Sequence, residues 1–300
     1  MNRLFFVVLC LGFMCASRVK ADTTGVFTYQ NGSFATIPNS AFDTPLGIDS
    51  QGALLLATDG NIGDPVLFSA DIFTSISVPG ATTEAYSMSQ NGTILGSYVT
   101  STRIYFTDLN GSFSNIDLPG FPRTTGNALI NDKGQIIVSN FSCCNLPDFI
   151  FDIQTAGITP ISFPGATVTS LIAINNNGQV LGLASGGAVG VAYFIYSAGA
   201  FTPLALPAGC TPVGINDSDE IVGNCLKDGV FQGFLYKSGF LKYIVYDGNS
   251  NFNNTLISDI SDSGEIVGTF TDVPESSTLS QLGIGFLFVA GLTLKLNRLA

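Results

Sequence analysis

One short phrase returns six times along this chain, and it limits the fold more than any other feature. The copies are Ile48-Asp49-Ser50-Gln51-Gly52, Met88-Ser89-Gln90-Asn91-Gly92, Ile130-Asn131-Asp132-Lys133-Gly134, Ile174-Asn175-Asn176-Asn177-Gly178, Ile215-Asn216-Asp217-Ser218-Asp219 and Ile260-Ser261-Asp262-Ser263-Gly264. Their turn positions, 52, 92, 134, 178, 219 and 264, are spaced by 40, 42, 44, 41 and 45 residues. A period in the low forties is the size of one propeller blade, four short strands with their turns.

Each unit carries four strand signals. The first strand ends on the Ile-Asn pair. The second is of Ile-Val-Gly type, as in Thr93–Val99, Gln179–Ala184, Glu220–Cys225 and Glu265–Phe270. The third is aromatic: Ile104-Tyr105-Phe106, Phe149-Ile150-Phe151, Tyr193-Phe194-Ile195-Tyr196 and Gly233-Phe234-Leu235-Tyr236. The fourth is of Phe-Thr-x-Ile type (Phe73–Val78, Phe113–Leu118, Ile158–Phe163, Phe201–Leu206). It is broken by Pro79-Gly80, Pro119-Gly120, Pro164-Gly165 or Pro207-Ala208. Proline cannot donate to a ladder and so suits a strand exit.

The phase at the two ends predicts closure. Val26–Tyr29 and Phe34–Ile37 read as third and fourth strands, with no first or second before them. Thr255–Ile260 and Glu265–Phe270 read as first and second strands, with no third or fourth after them. Together they complete one blade, so the expected fold is an all-β, six-bladed propeller over residues 22–272 whose N-terminal strands join its C-terminal ones. Such a ring leaves no inner edge unpaired.

The flanks read differently. Arg3 precedes a 13-residue apolar run, Leu4 to Ala16, and Val19-Lys20-Ala21 offers small residues before Asp22. This is the layout of a secretory signal peptide, expected over 1–21 with an N-terminal signal helix and cleavage by signal peptidase. Residues 273–300 begin Val273-Pro274-Glu275-Ser276-Ser277-Thr278, run uncharged to Leu294, and end with Lys295 and Arg298. This segment resembles the PEP-CTERM sorting signal of Gram-negative bacteria, with Val273, Pro274, Glu275, Ser277 and Thr278 as the motif. The resemblance implies a C-terminal transmembrane helix, an exosortase-type processing enzyme as partner, cleavage near Pro274-Glu275, and a protein transiently anchored in the inner membrane before it reaches the cell surface or the extracellular space. Two positions depart from the pattern: Ser276 stands where a second proline is usual, and the basic end has two charges. The repeats themselves resemble HAF-type extracellular repeats, through Gly233-Phe234-Leu235-Tyr236 and through Ile215-Asn216 followed by Ile221-Val222-Gly223. Gln232-Gly233-Phe234 stands in place of His-Ala-Phe.

Charge and residue usage exclude several classes of function. The chain has 300 residues, of which 11% are charged, against roughly 25% in ordinary soluble domains. From 22 to 272 there are 21 acids and six bases, a balance of −15. That balance argues against nucleic acid, whose phosphates call for clustered Lys and Arg. The absence of His removes a Ser-His-Asp triad and His-based zinc ligation. The Asp/Asn-rich turns lack the register of a calcium loop. Glu84, Glu220 and Glu265 are too sparse to nominate a glycosidase pair. No catalytic residue, metal or cofactor is therefore assigned.

Four cysteines follow the apolar N-terminal run. If the fifth turn centres near residue 218, Cys225 lies opposite about 211, which puts Cys210 within disulfide reach. Cys143 and Cys144 stand in a variable second-to-third connection. The second-to-third and fourth-to-first connections share one face of a propeller, and variable loops on a rigid scaffold are where recognition usually sits. The expected binding face includes Phe141, Cys143, Cys144, Asn249, Asn251 and Phe252, with a glycan or a surface protein as partner. The functional expectation is an exported surface or matrix protein with a binding or scaffolding role, linked through the sorting resemblance to exopolysaccharide or biofilm. The alternative is a carbohydrate-active propeller enzyme, a lyase or glycosidase. Carboxylates converging on the central channel would favour the enzyme, and an apolar plug would favour the scaffold.

Overall fold

The computed structural model describes residues 23–40, 44–58, 64–118, 127–139, 147–246 and 254–272. Among them there is no helix, and the strands form six four-stranded antiparallel sheets in a ring. The signal segment, the tail and their expected helices lie outside the described residues.

Blade 1 holds β3 (Thr44–Ile48), β4 (Leu54–Ala57), β5 (Val66–Ser69) and β6 (Ile72–Ser75). Blade 2 holds β7 (Thr82–Met88), β8 (Ile94–Val99), β9 (Arg103–Leu109) and β10 (Ser112–Ile116). Blade 3 holds β11 (Asn127–Ile130), β12 (Gln135–Ser139), β13 (Asp148–Asp152) and β14 (Gly157–Ile161). Blade 4 holds β15 (Val168–Ile174), β16 (Val180–Gly186), β17 (Gly190–Ser197) and β18 (Ala200–Leu204). Blade 5 holds β19 (Cys210–Ile215), β20 (Ile221–Lys227), β21 (Val230–Lys237) and β22 (Phe240–Ile244). Blade 6 is composite. β23 (Asn254–Ile260) and β24 (Ile266–Asp272) come from one end of the chain, β1 (Thr23–Gln30) and β2 (Ser33–Thr36) from the other. β1 pairs with β24 from Thr23↔Asp272 to Tyr29↔Ile266. The fold expected from the repeat phase is the fold observed.

Packing explains the Ile-Val-Gly phrase. In four blades its glycine lies opposite a phenylalanine of the third strand: Gly96↔Phe106, Gly182↔Phe194, Gly223↔Phe234 and Gly268↔Phe27. All four rings are fully buried. Each folds over its glycine, so a Cβ there would collide with the ring, and at Gly223 also with the Thr211 carbonyl. The pair is a device for packing a large ring tightly into a sheet. Blades 1 and 3 replace it with Leu56↔Val66 and Val138↔Phe149, which fill similar space with more even side chains.

The first turn of each blade has a left-handed residue. It is glycine in five copies, and in the fifth blade it is Asp219, which holds φ at +58°. Aspartate is one of the few residues with a side chain that tolerates this conformation.

β19 is joined to β20 by a disulfide between Cys210 and Cys225. These are direct register partners, not Cys225 with residue 211, because β19 shifts register between Pro212 and Gly214. The same bulge recurs in β3, β7, β15 and β23, and it moves every pair beyond it by one.

Two stability measurements follow. Gly223→Ala should destabilise the fold by about 1–3 kcal/mol, the usual cost of overpacking a tight core, and lower the thermal midpoint by several degrees. Gly239→Ala, where an added Cβ meets nothing but φ is +86°, shows the opposite case, backbone strain without overpacking. Replacing both Cys210 and Cys225 by serine should cost about 2–3 kcal/mol in urea unfolding, as expected for a bridge closing a loop of this order.

Candidate functional site

The first strands of all six blades (β3, β7, β11, β15, β19 and β23) stand side by side around the axis. They line a central channel with a cavity of about 60 Å³. That is room for a few waters, far below the roughly 300–1,000 Å³ of small-molecule sites.

At one end the channel is closed by the turns of the Ile-Asn phrase. In Asn131, Asn175 and Asn216 the side-chain oxygen stays within its own turn, accepting from the N–H of Gln135 (3.0 Å), Gln179 (2.9 Å) and Glu220 (3.0 Å). The amide nitrogen reaches the next blade. Nδ2 of Asn131 donates to the Asn175 carbonyl (3.0 Å), Nδ2 of Asn175 to the Asn216 carbonyl (3.1 Å), and Nδ2 of Asn216 to the Ser261 carbonyl (3.1 Å). Asparagine does both jobs because it is donor and acceptor at once. Asp49, Ser89 and Ser261 at the other three copies have no such amide.

The following residue makes a second circuit. The N–H of Asp132 donates to Asn176 Oδ1, that of Asn176 to Asp217 Oδ1, and that of Asp217 to Asp262 Oδ1, at 2.7–2.8 Å. The Asp262 N–H then donates to Gln90 Oε1 (2.8 Å), and the Asn91 N–H closes the loop on Asp132 Oδ1 (2.8 Å). Blade 1 is bypassed. Its Ser50 is short and donates to Gln90 Oε1 instead (3.1 Å). The longer side chain of Gln90 spans the gap. Asn176 Nδ2 adds contacts to Asp132 Oδ2 (3.0 Å) and Asp262 Oδ2 (3.2 Å).

Three carboxylates, Asp132, Asp217 and Asp262, thus meet at this end of the channel, with Asp259 deeper inside. Each accepts a backbone N–H. Burial pushes Asp262 above the usual carboxylate range, with the Asp217 and Asp132 charges adding to it and the Asp217 N–H working against it. Asp259 lies on the channel wall at the β23 bulge and accepts from the N–H of Ile260 (2.8 Å) and of Ile48 (3.2 Å). Burial pushes it up to about 7, although both amides pull it down and Asp262 adds only a little. The Ile48 contact ties blade 6 to blade 1. Ser87 makes the corresponding tie from blade 2 to blade 3, accepting from the Ile130 N–H (3.2 Å).

A second polar cluster sits toward the opposite end of blade 2. The Arg103 guanidinium pairs with Glu84 and donates to Tyr86 Oη (3.0 Å) and Ser97 Oγ (2.7 Å). The Arg103 hydrogen bond holds Glu84 below its ordinary range, against the effect of burial. Arg103 and Glu84 thereby satisfy one another. Sequence reading missed this cluster, because its members are brought together only by the pairing of β7, β8 and β9.

Other sequence-stated sites fall elsewhere. Phe141, Cys143, Cys144, Asn249, Asn251 and Phe252, and the motif residues Val273, Pro274, Glu275, Ser277 and Thr278, lie outside the described residues. Among the described residues there is no group of three or more acidic, cysteine or histidine side chains arranged to hold a metal ion. No helix there is long and apolar enough to cross a membrane.

The Asp259 environment makes a pH prediction. A carboxyl whose folded pKa is raised binds protons more tightly in the folded state, so stability falls as pH rises from about 4 through about 7 and levels off above. Glu84 and Glu220, held low, act in the other direction and only below about 4.5. The urea midpoint of Asp259→Asn, subtracted from that of the parent at each pH, should isolate the upper window; a pH-independent difference would contradict it.

No family model matches the chain, and no curated protein matches it. Solved structures do resemble it. A TolB-type protein from Agrobacterium tumefaciens superposes with a TM-score of 0.63 at 12% identity, over 84% of this chain and 99% of that one. TolB from Acinetobacter baumannii superposes with a TM-score of 0.50 at 11% identity, over 83% of this chain and 64% of that longer one. At such identities the likeness is one of fold, and the fold shared is the propeller.

Proposed function

We propose that this chain is an exported propeller that works by binding, delivered to the cell surface or the extracellular matrix by the 273–300 segment. The observation that supports this reading is the contrast between the two ends of the ring. One end is sealed by the asparagine and aspartate circuits, over a cavity too small for a sugar ring with its contacts. At the other lie the strand ends that flank 141–146 and 247–253, Ser139 and Asp148 in blade 3 and Ile244 and Asn254 in blades 5 and 6, and there recognition has room to occur. An acidic, His-free body is consistent with a neutral glycan or a surface protein as partner. The resemblance to PEP-CTERM and HAF-type proteins points to exopolysaccharide or biofilm as the setting, and the TolB-like fold is compatible with a place outside the cytoplasm.

One observation favours the enzyme alternative: carboxylates do converge on the channel. Their oxygens are engaged by backbone amides from neighbouring blades, which suits a latch better than an acid–base pair. Asp217→Ala, which removes the acceptor of the Asn176 N–H, distinguishes the two. A latch variant keeps matrix retention and loses stability; an enzyme variant stays folded and loses glycan cleavage.

Two measurements test the binding reading. Mass spectrometry of the mature protein should find termini at Asp22 and near Pro274–Glu275; a surviving tail would indicate a permanently tethered domain instead. Grafting short turns in place of 141–147 and 247–254 should abolish retention on native matrix, and undiminished retention would rule that face out.

A further inference from the structure

The strand directions put the first and last described residues at one place. β24 runs away from the sealed end of the channel and stops at Asp272, beside its register partner Thr23. Asp272 therefore lies at the end of blade 6 away from the seal. Six residues, 273–278, separate Asp272 from Leu279, where the apolar stretch begins. Fully extended, the seven steps from Asp272 to Leu279 reach about 25 Å. Whatever holds the 279–294 segment must lie within that distance of this corner.

The same corner exposes apolar side chains. Leu226 (50% exposed) and Phe231 (40%) are cross-strand partners at the ends of β20 and β21. The Phe231 N–H donates to Asn254 Oδ1 (2.9 Å), which links this pair to the start of β23, where Leu256 is 36% exposed. Val245, just beyond β22, is 44% exposed. Lys227 follows Leu226 at the end of β20, its Nζ 5.5 Å above the Tyr243 ring, and Asp228 is the acid next to it in sequence. An apolar cluster with a cation carried on an aromatic ring suits the boundary between acyl chains and head groups.

We propose that the end of blades 5 and 6 away from the seal rests on a phospholipid bilayer, the one that holds the 279–294 segment, until the tail is removed. This rests on the reading that the tail spans the membrane before processing. Leu226, Phe231, Val245 and Leu256 dip into the lipid boundary, and the sealed end of the ring points away. The end of blades 5 and 6 away from the seal then faces the membrane before cleavage and is released from it afterwards.

The chain has no tryptophan, which allows single reporters. Full chains with the tail intact and carrying Phe231→Trp, Leu256→Trp or Phe240→Trp are reconstituted in phosphatidylcholine vesicles with brominated or ordinary acyl chains. Phe240 is 82% exposed at the opposite end of blade 5. Brominated lipid should quench the Phe231→Trp emission at least twofold, with Leu256→Trp giving the same result should the first variant fold poorly, and should leave Phe240→Trp unchanged. Equal quenching at both ends, or none at Phe231 and Leu256 while the chain resists alkaline extraction, overturns the membrane-facing surface alone. Release of the chain by alkaline extraction overturns the tail reading, and this surface with it.

Discussion

The ladder between β1 and β24 is the contact on which everything else depends. It joins residues about 240 positions apart in sequence and turns a row of repeats into a ring. Without it blade 6 would be two strands, and the walls of blades 5 and 1 would face solvent. With it every first strand has a neighbour on both sides, and the channel exists. The entropy of closing so long a loop is large but grows only slowly with length, and the packing of Tyr246 on Phe27 and Phe34 across the seam works against it.

The repeated phrase serves two physical ends at once. Its apolar members and its glycine build the blade, the glycine by making space for a buried phenylalanine. Its polar members bind one blade to the next. A propeller packs flat sheets face to face, and apolar contact alone would let them slide. The asparagine bridges are directional and set the blades in register. In the second circuit, where Ser50 is too short to bridge, Gln90 reaches across instead. These groups lie in a low-dielectric interior, where satisfied polar networks specify geometry strongly and unsatisfied ones are costly.

The two ends of the ring divide the labour. One is a closed polar seal of short, regular turns, and at the other lie the first and last described residues, Thr23 and Asp272. The proposed roles in recognition and tethering are assigned to that second face. Acids outnumber bases over the body, and the carboxylates at the channel serve as acceptors of backbone amides.

Much of this was legible in the order of residues. Strand identity, blade count and ring closure follow from the six spacings and from the phase of Val26–Tyr29 and Thr255–Ile260, because a four-stranded unit with one apolar face has few ways to bury it. The Cys210–Cys225 proximity was legible to within one residue, the error arising from a bulge that no local pattern announces. Asn131, Asn175 and Asn216 could be read as turn-forming but not as bridges, since the carbonyl each donates to lies in the next blade. Glu84 and Arg103 meet only through β-pairing, and the raised Asp259 is explained only by burial between blades 6 and 1. The sequence by itself determined the strands, their turns and their number, for these depend on near neighbours and periodicity. The tertiary structure alone decided which polar groups meet, which end is sealed and where the apolar corner lies, because each depends on side chains that closure brings together from distant parts of the chain.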